Sequence, residues 1–164
     1  MNDLSSRFTP IDDSDPSCER TDATLAIYHV DPTLVTEKLS VTPTSSQGIG
    51  VARVMPSGKE VIGTTNSWLL SSEKEVISKD LRRHLDWLLD RLEPTGAQLR
   101  ELQQFPGAKM TIWCVWWSAV GRAGGPTLWP EQMDRLARLN LEIGFTFAYY
   151  GDDDEKGMPP QETE

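Results

Sequence analysis

Histidine and cysteine are scarce in the 164 residues, with two of each. His29, His84, Cys18 and Cys114 form no pair with the spacing of a metal site, so neither a metal nor another cofactor is expected. Two thiols cannot found a disulfide framework. Cys18 sits in a polar stretch and Cys114 inside an apolar strand pattern, which reads as two separate, reduced thiols of a cytoplasmic protein. Long hydrophobic runs are missing as well. The longest apolar, uncharged run, between Lys109 and Arg122, is 12 residues, against about 20 for a bilayer-spanning helix. The opening "MNDLSSRFTPIDDSDPSCERTD" lacks the apolar segment of a signal peptide, so no membrane partner is expected.

An excess of basic residues is also absent. The net charge is −9, but it is unevenly placed. Residues 1–22 hold six acids and two bases, and residues 151–164 hold six acids and one base. Between them, residues 23–150 carry 13 acids and 13 bases. The domain organisation expected is therefore a flexible acidic arm (1–22), one folded domain (23–150) and a flexible acidic tail (151–164). A neutral folded part gives no electrostatic reason to expect nucleic acid as a partner.

What is present is a legible run of elements. "TLAIYHV" at 24–30 reads as a strand, and Asp31-Pro32 as an N-cap and first position of a helix with Leu34, Val35 and Leu39 on one face. "TPTSSQG" is loop by composition, and "VARVM" and "EVIGTT" flank "PSGK" as a hairpin. The second run leads into "NSWLLSS", where Trp68 and Leu70 share a face. Leu81, Leu85, Leu88 and Leu92 make an amphipathic helix with Ser78 as N-cap and Pro94 as its end. Thr95 and Gln98 have capping-box spacing for a shorter helix carrying Leu99 and Leu102.

"KMTIWCVWWSA" puts Met110, Ile112, Cys114 and Trp116 on one face and Trp113, Val115 and Trp117 on the other, a pattern suited to a central strand covered on both sides. After a glycine-rich loop, Pro130 opens a helix that Asn140 closes, and "LEIGFTFAYY" alternates as a half-buried strand. The order β-α-β-β-α-α-β-α-β predicts an α+β fold: a mainly antiparallel sheet with packed helices, as a ferredoxin-like βαββαβ unit extended by one helix and one strand. A Pro-initiated helix leading into a strand occurs at 32–41 and again at 130–143, which hints at duplication.

The ordered pieces "DPTLVTEKLSVTPT", "SWLLSSE", "LRRHLDWLLDRLEP", "CVWWSAVGRAGG" and "LARLNLEIGFTF" resemble the bacterial family catalogued as domain of unknown function 4279. The resemblance covers about residues 23 to 150 and rests on the order and spacing of positions such as Pro32, Trp68, Ser71, Trp87, Gly125 and Gly144. Where relatives have Gly after the fourth helix, this chain has Asn140. The resemblance implies the domain limits and carries no catalytic assignment.

Candidate binding residues concentrate near the tryptophan-rich strand. Core packing accounts for a tryptophan in a strand, each burying about 150–250 Å². A solvent-facing indole beside polar groups instead stacks on a sugar, a base or a partner's side chain. Trp113 and Trp117 share the face where this applies, and Trp68, Ser118, Arg122, Gly124 and Gly125 complete the set. In "SAVGRAGGP" the glycines expose backbone N–H groups and Arg122 could meet a carboxylate or phosphate, but the spacing is neither a P-loop nor a dinucleotide fingerprint.

"SSE" at Ser71–Glu73 lacks a nucleophile-elbow frame, and neither histidine is placed by sequence as its base. His84 reads as a partly exposed flank residue, and no carboxylate pair stands out. The expectation is a non-catalytic binding or protein-interaction module, of which an acidic inhibitor or immunity-type protein is one form. The alternatives are an enzyme acting on a small anionic substrate held by Arg122 near Ser71, Ser72 or Glu73, and an oligomeric structural protein. The ligand, the partner and the oligomeric state are not encoded in any motif.

Overall fold

The computed structural model describes residues 9–119 and 121–149; the tail at 151–164 and the first eight residues of the expected arm lie outside them. Strand β1 (Cys18–Tyr28) is the centre of the molecule, paired antiparallel with β5 (Ser67–Ser71) on one side and with β6 (Lys109–Ser118) on the other. Short β2 (Ser45–Gln47) extends the β5 side antiparallel, and β7 (Glu142–Tyr149) extends the β6 side as the parallel neighbour. The strand order β2-β5-β1-β6-β7 makes a mainly antiparallel sheet, and with helices packed on it the class is α+β, as expected. A separate hairpin, β3 (Ala52–Val54) and β4 (Glu60–Ile62), turns at Gly58 (φ 79°) and leaves both strands exposed.

All four α-helices supply the same core. These are α1 (Pro32–Leu39), α2 (Leu81–Leu92), α3 (Gly96–Leu102) and α4 (Pro130–Leu139). Val35, Leu39, Leu85, Leu88, Leu99 and Leu136 meet Ala23, Leu25, Ile27, Trp68, Ile112 and Cys114 of the sheet. Those strand residues alternate along one face, so the helices form a single layer. Strand β6 is central, but the layer covers its Ile112–Cys114–Trp116 face; on the other face Trp113 is 44% exposed. The expectation of cover on both sides is corrected accordingly. Apolar residues on a second face do not by themselves bring a second layer.

Residues 18–22 belong to the sheet and not to a flexible arm. Cys18, Thr21 and Asp22 are buried, and the Thr21 hydroxyl donates to the Val115 carbonyl at 2.7 Å. Polar composition concealed this, because β1 exposes Glu19 and Arg20 while its backbone pairs with β6 on either side of an irregularity at Glu19. Residues 9–15 are also held down: the Arg82 guanidinium donates to the Thr9 and Pro10 carbonyls at 2.5 and 2.7 Å. The expected boundary at residue 22 therefore falls inside the domain.

Helix ends follow local chemistry, with two corrections. Asp31 caps α1 through Thr33 N (2.8 Å), Pro130 opens α4, and Asn140 closes it in the left-handed conformation at φ 53°. Ser40 closes α1 in the same way (φ 52°), so the two Pro-initiated helices share their exits. The cap of α2 is Asp80, not Ser78; the Ser78 hydroxyl instead accepts from Asp80 N and donates to Asp13. Thr95 precedes α3 but makes no capping bond, because its hydroxyl donates back to the Leu92 carbonyl at 2.9 Å. "SSQ" at 45–47, expected as loop, pairs with β5 as an edge strand through its backbone, which needs no apolar alternation. Among the described residues no helix is long and apolar enough to cross a membrane.

Candidate functional site

The face of the sheet away from the helices is built by register. Arg20, Asp22 and Thr24 alternate along β1, and Arg20 stands opposite Trp117, Asp22 opposite Val115 and Thr24 opposite Trp113. On the outer sides, Thr24 pairs with Ser71 and Trp113 with Gly144. A Cβ built on Gly144 would lie 2.5, 2.7 and 3.2 Å from Cζ3, Cε3 and Cη2 of Trp113. Those three distances turn the face of the benzo ring, not its rim, toward the glycine. The indole therefore lies along the sheet with its other face outward.

Polar groups surround this platform. The Thr24 hydroxyl donates to Ser71 Oγ at 2.8 Å, and Arg20 donates to Glu73 at 3.3 Å. The same guanidinium sits 5.0 Å from the Trp117 ring centroid, a cation–π contact. Asp22 is only 7% exposed, and its carboxylate accepts no hydrogen bond from the described residues. Burial pushes its carboxyl above the usual 3.8; the charge of Glu73 adds to the rise, while Arg20 and His84 oppose it. An acid in this setting favours a ligand that brings a donor. From Thr24, Ser71 and Glu73 a cleft of about 920 Å³ leads round the sheet edge to Thr44, Trp87 and Arg91.

The structure separates the residues expected to act together. Trp113 and Trp117 share the open face. Trp68 does not: it is fully buried, and its Nε1 donates to Thr36 Oγ1 at 3.0 Å, tying β5 to α1. Ser118 is also off the face, because β6 continues through it and alternation turns it away from Trp117, to a 5% exposed position. The glycine loop folds toward the N-terminal segment. Ala119 N donates to the Ser17 carbonyl at 3.0 Å, Gly124 lies directly against Ser17, and Gly125 lines a cavity of about 160 Å³ with Pro10, Asp12, Arg82 and Trp116. Arg122 is exposed, and among the described residues its side chain makes no hydrogen bond or ion pair. The cation that joins Glu73 is Arg20, not Arg122.

Two groupings were missed by sequence reasoning. Ser72 Oγ lies 2.8 Å from His84 Nδ1, while His84 Nε2 lies 3.0 Å from the Ser78 carbonyl. A carbonyl only accepts, so Nε2 carries the proton and the serine hydroxyl donates to Nδ1. Ser72 Oγ in turn accepts from Ala23 N at 2.9 Å. The geometry is that of a nucleophile and its base, but Ser72 is 0% and His84 1% exposed, which corrects the reading of His84 as a flank residue. Enclosed in this way, the pair pins the end of β5 to α2. No sequence signal gave the contact, since the two residues are 12 positions apart and an irregular turn lies between them.

The second grouping centres on Arg82, buried in the first turn of α2. It holds Asp80 at 2.6 and 2.8 Å and lies 4.9 Å from the Trp129 ring centroid. Burial raises the Asp80 carboxyl, but the hydrogen bonds from Arg82 and from Asp12 N outweigh it and hold Asp80 below 3.8. Trp116, 2% exposed on the same side, has an Nε1 without a hydrogen-bond partner among the described residues.

A mainly antiparallel sheet with helices on one face and an aromatic, polar-rimmed platform on the other defines an α+β protein. The chain matches the family model described as Domain of unknown function (DUF4279) over residues 19–150, and it belongs to that family. The match begins within β1, in agreement with the placement of residues 18–22 in the sheet. No curated protein and no solved structure matches the chain.

Proposed function

We propose that the protein is a non-catalytic binding module whose recognition surface is the open sheet face around Trp113. The observation that carries this reading is the indole of Trp113, laid face-on over Gly144 and 44% exposed, beside the almost buried Asp22 carboxylate, which accepts no hydrogen bond from the described residues. A ring fixed on one side by backbone loses little freedom when a second flat or CH-rich surface stacks on the other. Asp22 then selects for a hydrogen-bond donor or cation, and the cleft past Ser71 gives an extended ligand room to continue. The enclosure of Ser72 and His84 supports a binding role over hydrolysis, since no reacting group can reach the hydroxyl without opening the core.

Within this reading the strand order β2-β5-β1-β6, all antiparallel, is taken as a ferredoxin-like unit to which α4 and β7 are added. A cytoplasmic location fits two free, buried thiols, Cys18 and Cys114, whose burial pushes them up to about 11 and about 12.

The test is a panel of oligosaccharides and of basic and neutral peptides, followed by tryptophan fluorescence and calorimetry with the wild type, Trp113→Ala and Asp22→Asn. A ligand whose affinity falls about tenfold or more in both variants supports the surface. Ligands bound equally well by all three proteins would place recognition elsewhere. Turnover of any panel member by the wild type would sink the non-catalytic reading.

A further inference from the structure

We propose that the outer edge of β7, which pairs with no other described strand, is a homodimer interface, and that two copies pair their β7 strands antiparallel to make one ten-stranded sheet. The two edges of the sheet are treated differently. At one end β2 is three residues long and polar, a short edge of the kind that discourages pairing. At the other, β7 runs for eight residues and contains no lysine, no arginine and no proline. Its helix-side positions are Ile143, Phe145, Phe147 and Tyr149, of which the last three are 37%, 50% and 76% exposed. Of these only Ile143, at the start of the strand, packs against the core, and Met133 in the first turn of α4 is itself 51% exposed. Phe145 and Phe147 already stack with ring centroids 6.5 Å apart.

A second copy suits this edge better than an arbitrary strand. If the helix layers of both copies stay on one side, residues facing each other across the new ladder must share a face. A two-fold axis through Thr146 satisfies this. It sets Phe145 opposite the partner's Phe147 in both directions, and Ile143 opposite the partner's Tyr149. The one charged residue of the strand, Glu142, then stands at opposite ends in the two copies, so within the two β7 strands no like charges face each other. The aromatic surface covered is on the order of 600 Å² for the pair, before the backbone edge and Met133 are added. A specific interface requires about 1,000 Å², so the dimer is expected to be weak, with a dissociation constant in the micromolar range.

The test uses the full chain. Sedimentation of the wild type across roughly 1–100 µM should show a monomer–dimer equilibrium, and Phe147→Glu, at a half-exposed position, should weaken it about tenfold or more without changing the circular dichroism. Thr146→Cys should form a covalent dimer on mild oxidation, because facing residues of an antiparallel pair lie about 4.5–5.5 Å apart at Cα. Ser46→Cys, on the opposite edge, should not. Cys18 and Cys114 are buried and do not compete. A monomer at every concentration, or a dimer indifferent to Phe147→Glu, would overturn the interface. A dimer that cross-links through Phe145→Cys and not through Thr146→Cys would overturn the register.

Discussion

The benzo ring of Trp113 occupies the space that a side chain on Gly144 would need, with Cζ3 2.5 Å from the position of the missing Cβ. Gly144→Ala is therefore expected to lift the indole off the sheet. Because the ring is already partly exposed, the stability cost is expected to be modest, about 1 kcal/mol. The clearer readout is acrylamide quenching, which should rise in Gly144→Ala and fall in Trp113→Phe. Unchanged quenching in Gly144→Ala would mean that the ring does not rest there.

The six tryptophans should respond very differently to a solution quencher. Trp68 and Trp116, at 0% and 2% exposure, should contribute only shielded emission, whereas Trp113 should supply the most accessible component. Single Trp→Phe variants resolve this. A shielded Trp113 would remove the platform and direct attention to the cleft beside Trp87.

His84 predicts acid sensitivity. Burial holds its pKa below the ordinary 6.5; the hydrogen bond to the Ser78 carbonyl and the charges of Asp22 and Asp80 oppose that shift without cancelling it. The unfolded chain thus binds the proton first. Stability from this group is complete above about pH 6.5 and is lost as the pH falls below that value through the folded-state pKa. Denaturant melts from pH 7.5 to pH 5 should show the decline, and His84→Gln should flatten it. A wild-type midpoint independent of pH over that range would contradict the assignment.

Ser72→Ala should be destabilising in spite of its small volume change. It leaves Ala23 N–H and His84 Nδ1 unpaired in the core, and each buried unsatisfied group costs about 1–3 kcal/mol. Equilibrium unfolding measures the loss. A change below about 0.5 kcal/mol would mean that water reaches the site.

Truncation separates the two parts of the N-terminal stretch. Removing residues 1–8 should leave a folded domain, whereas removing 1–22 deletes Cys18–Asp22 from the central strand and the carbonyls held by Arg82. Arg82→Met should also be costly, about 3–5 kcal/mol, because Asp80 would stay buried without its partner. A folded, monodisperse 23–164 fragment would contradict the strand assignment.

Much of the fold was legible because its determinants are local. The leucine stripe of α2, the Asp31-Pro32 and Pro130 starts, the Asn140 exit and the alternation of β6 each follow from neighbouring residues. What was missed depends on distant parts of the chain. Residues 18–22 look like a polar arm until Val115 is opposite them, although Thr21, Ala23 and Leu25 already alternate with Arg20, Asp22 and Thr24. The site divided in the same way. Trp113 and Trp117 could be placed together from their spacing, but Arg20 and Glu73 are 53 residues apart and meet only through the sheet. Ser118 and the glycine loop were grouped with Trp117 because they follow it in sequence, whereas the strand's alternation and the pull of Ser17 take them elsewhere.

The central position of β1 also governs how the molecule is made. This strand leaves the ribosome well before its neighbour β6, which lies far downstream; the bond from Thr21 to Val115 spans 94 residues. Until about residue 118 has emerged, one side of β1 has no strand to pair with, and Ala23, Leu25 and Ile27 lack the full cover of the finished core. While residues 72–118 are being made, one side of β1 therefore waits for its partner although β5 can already pair with the other, a half-covered apolar strand of the kind that chaperones shield.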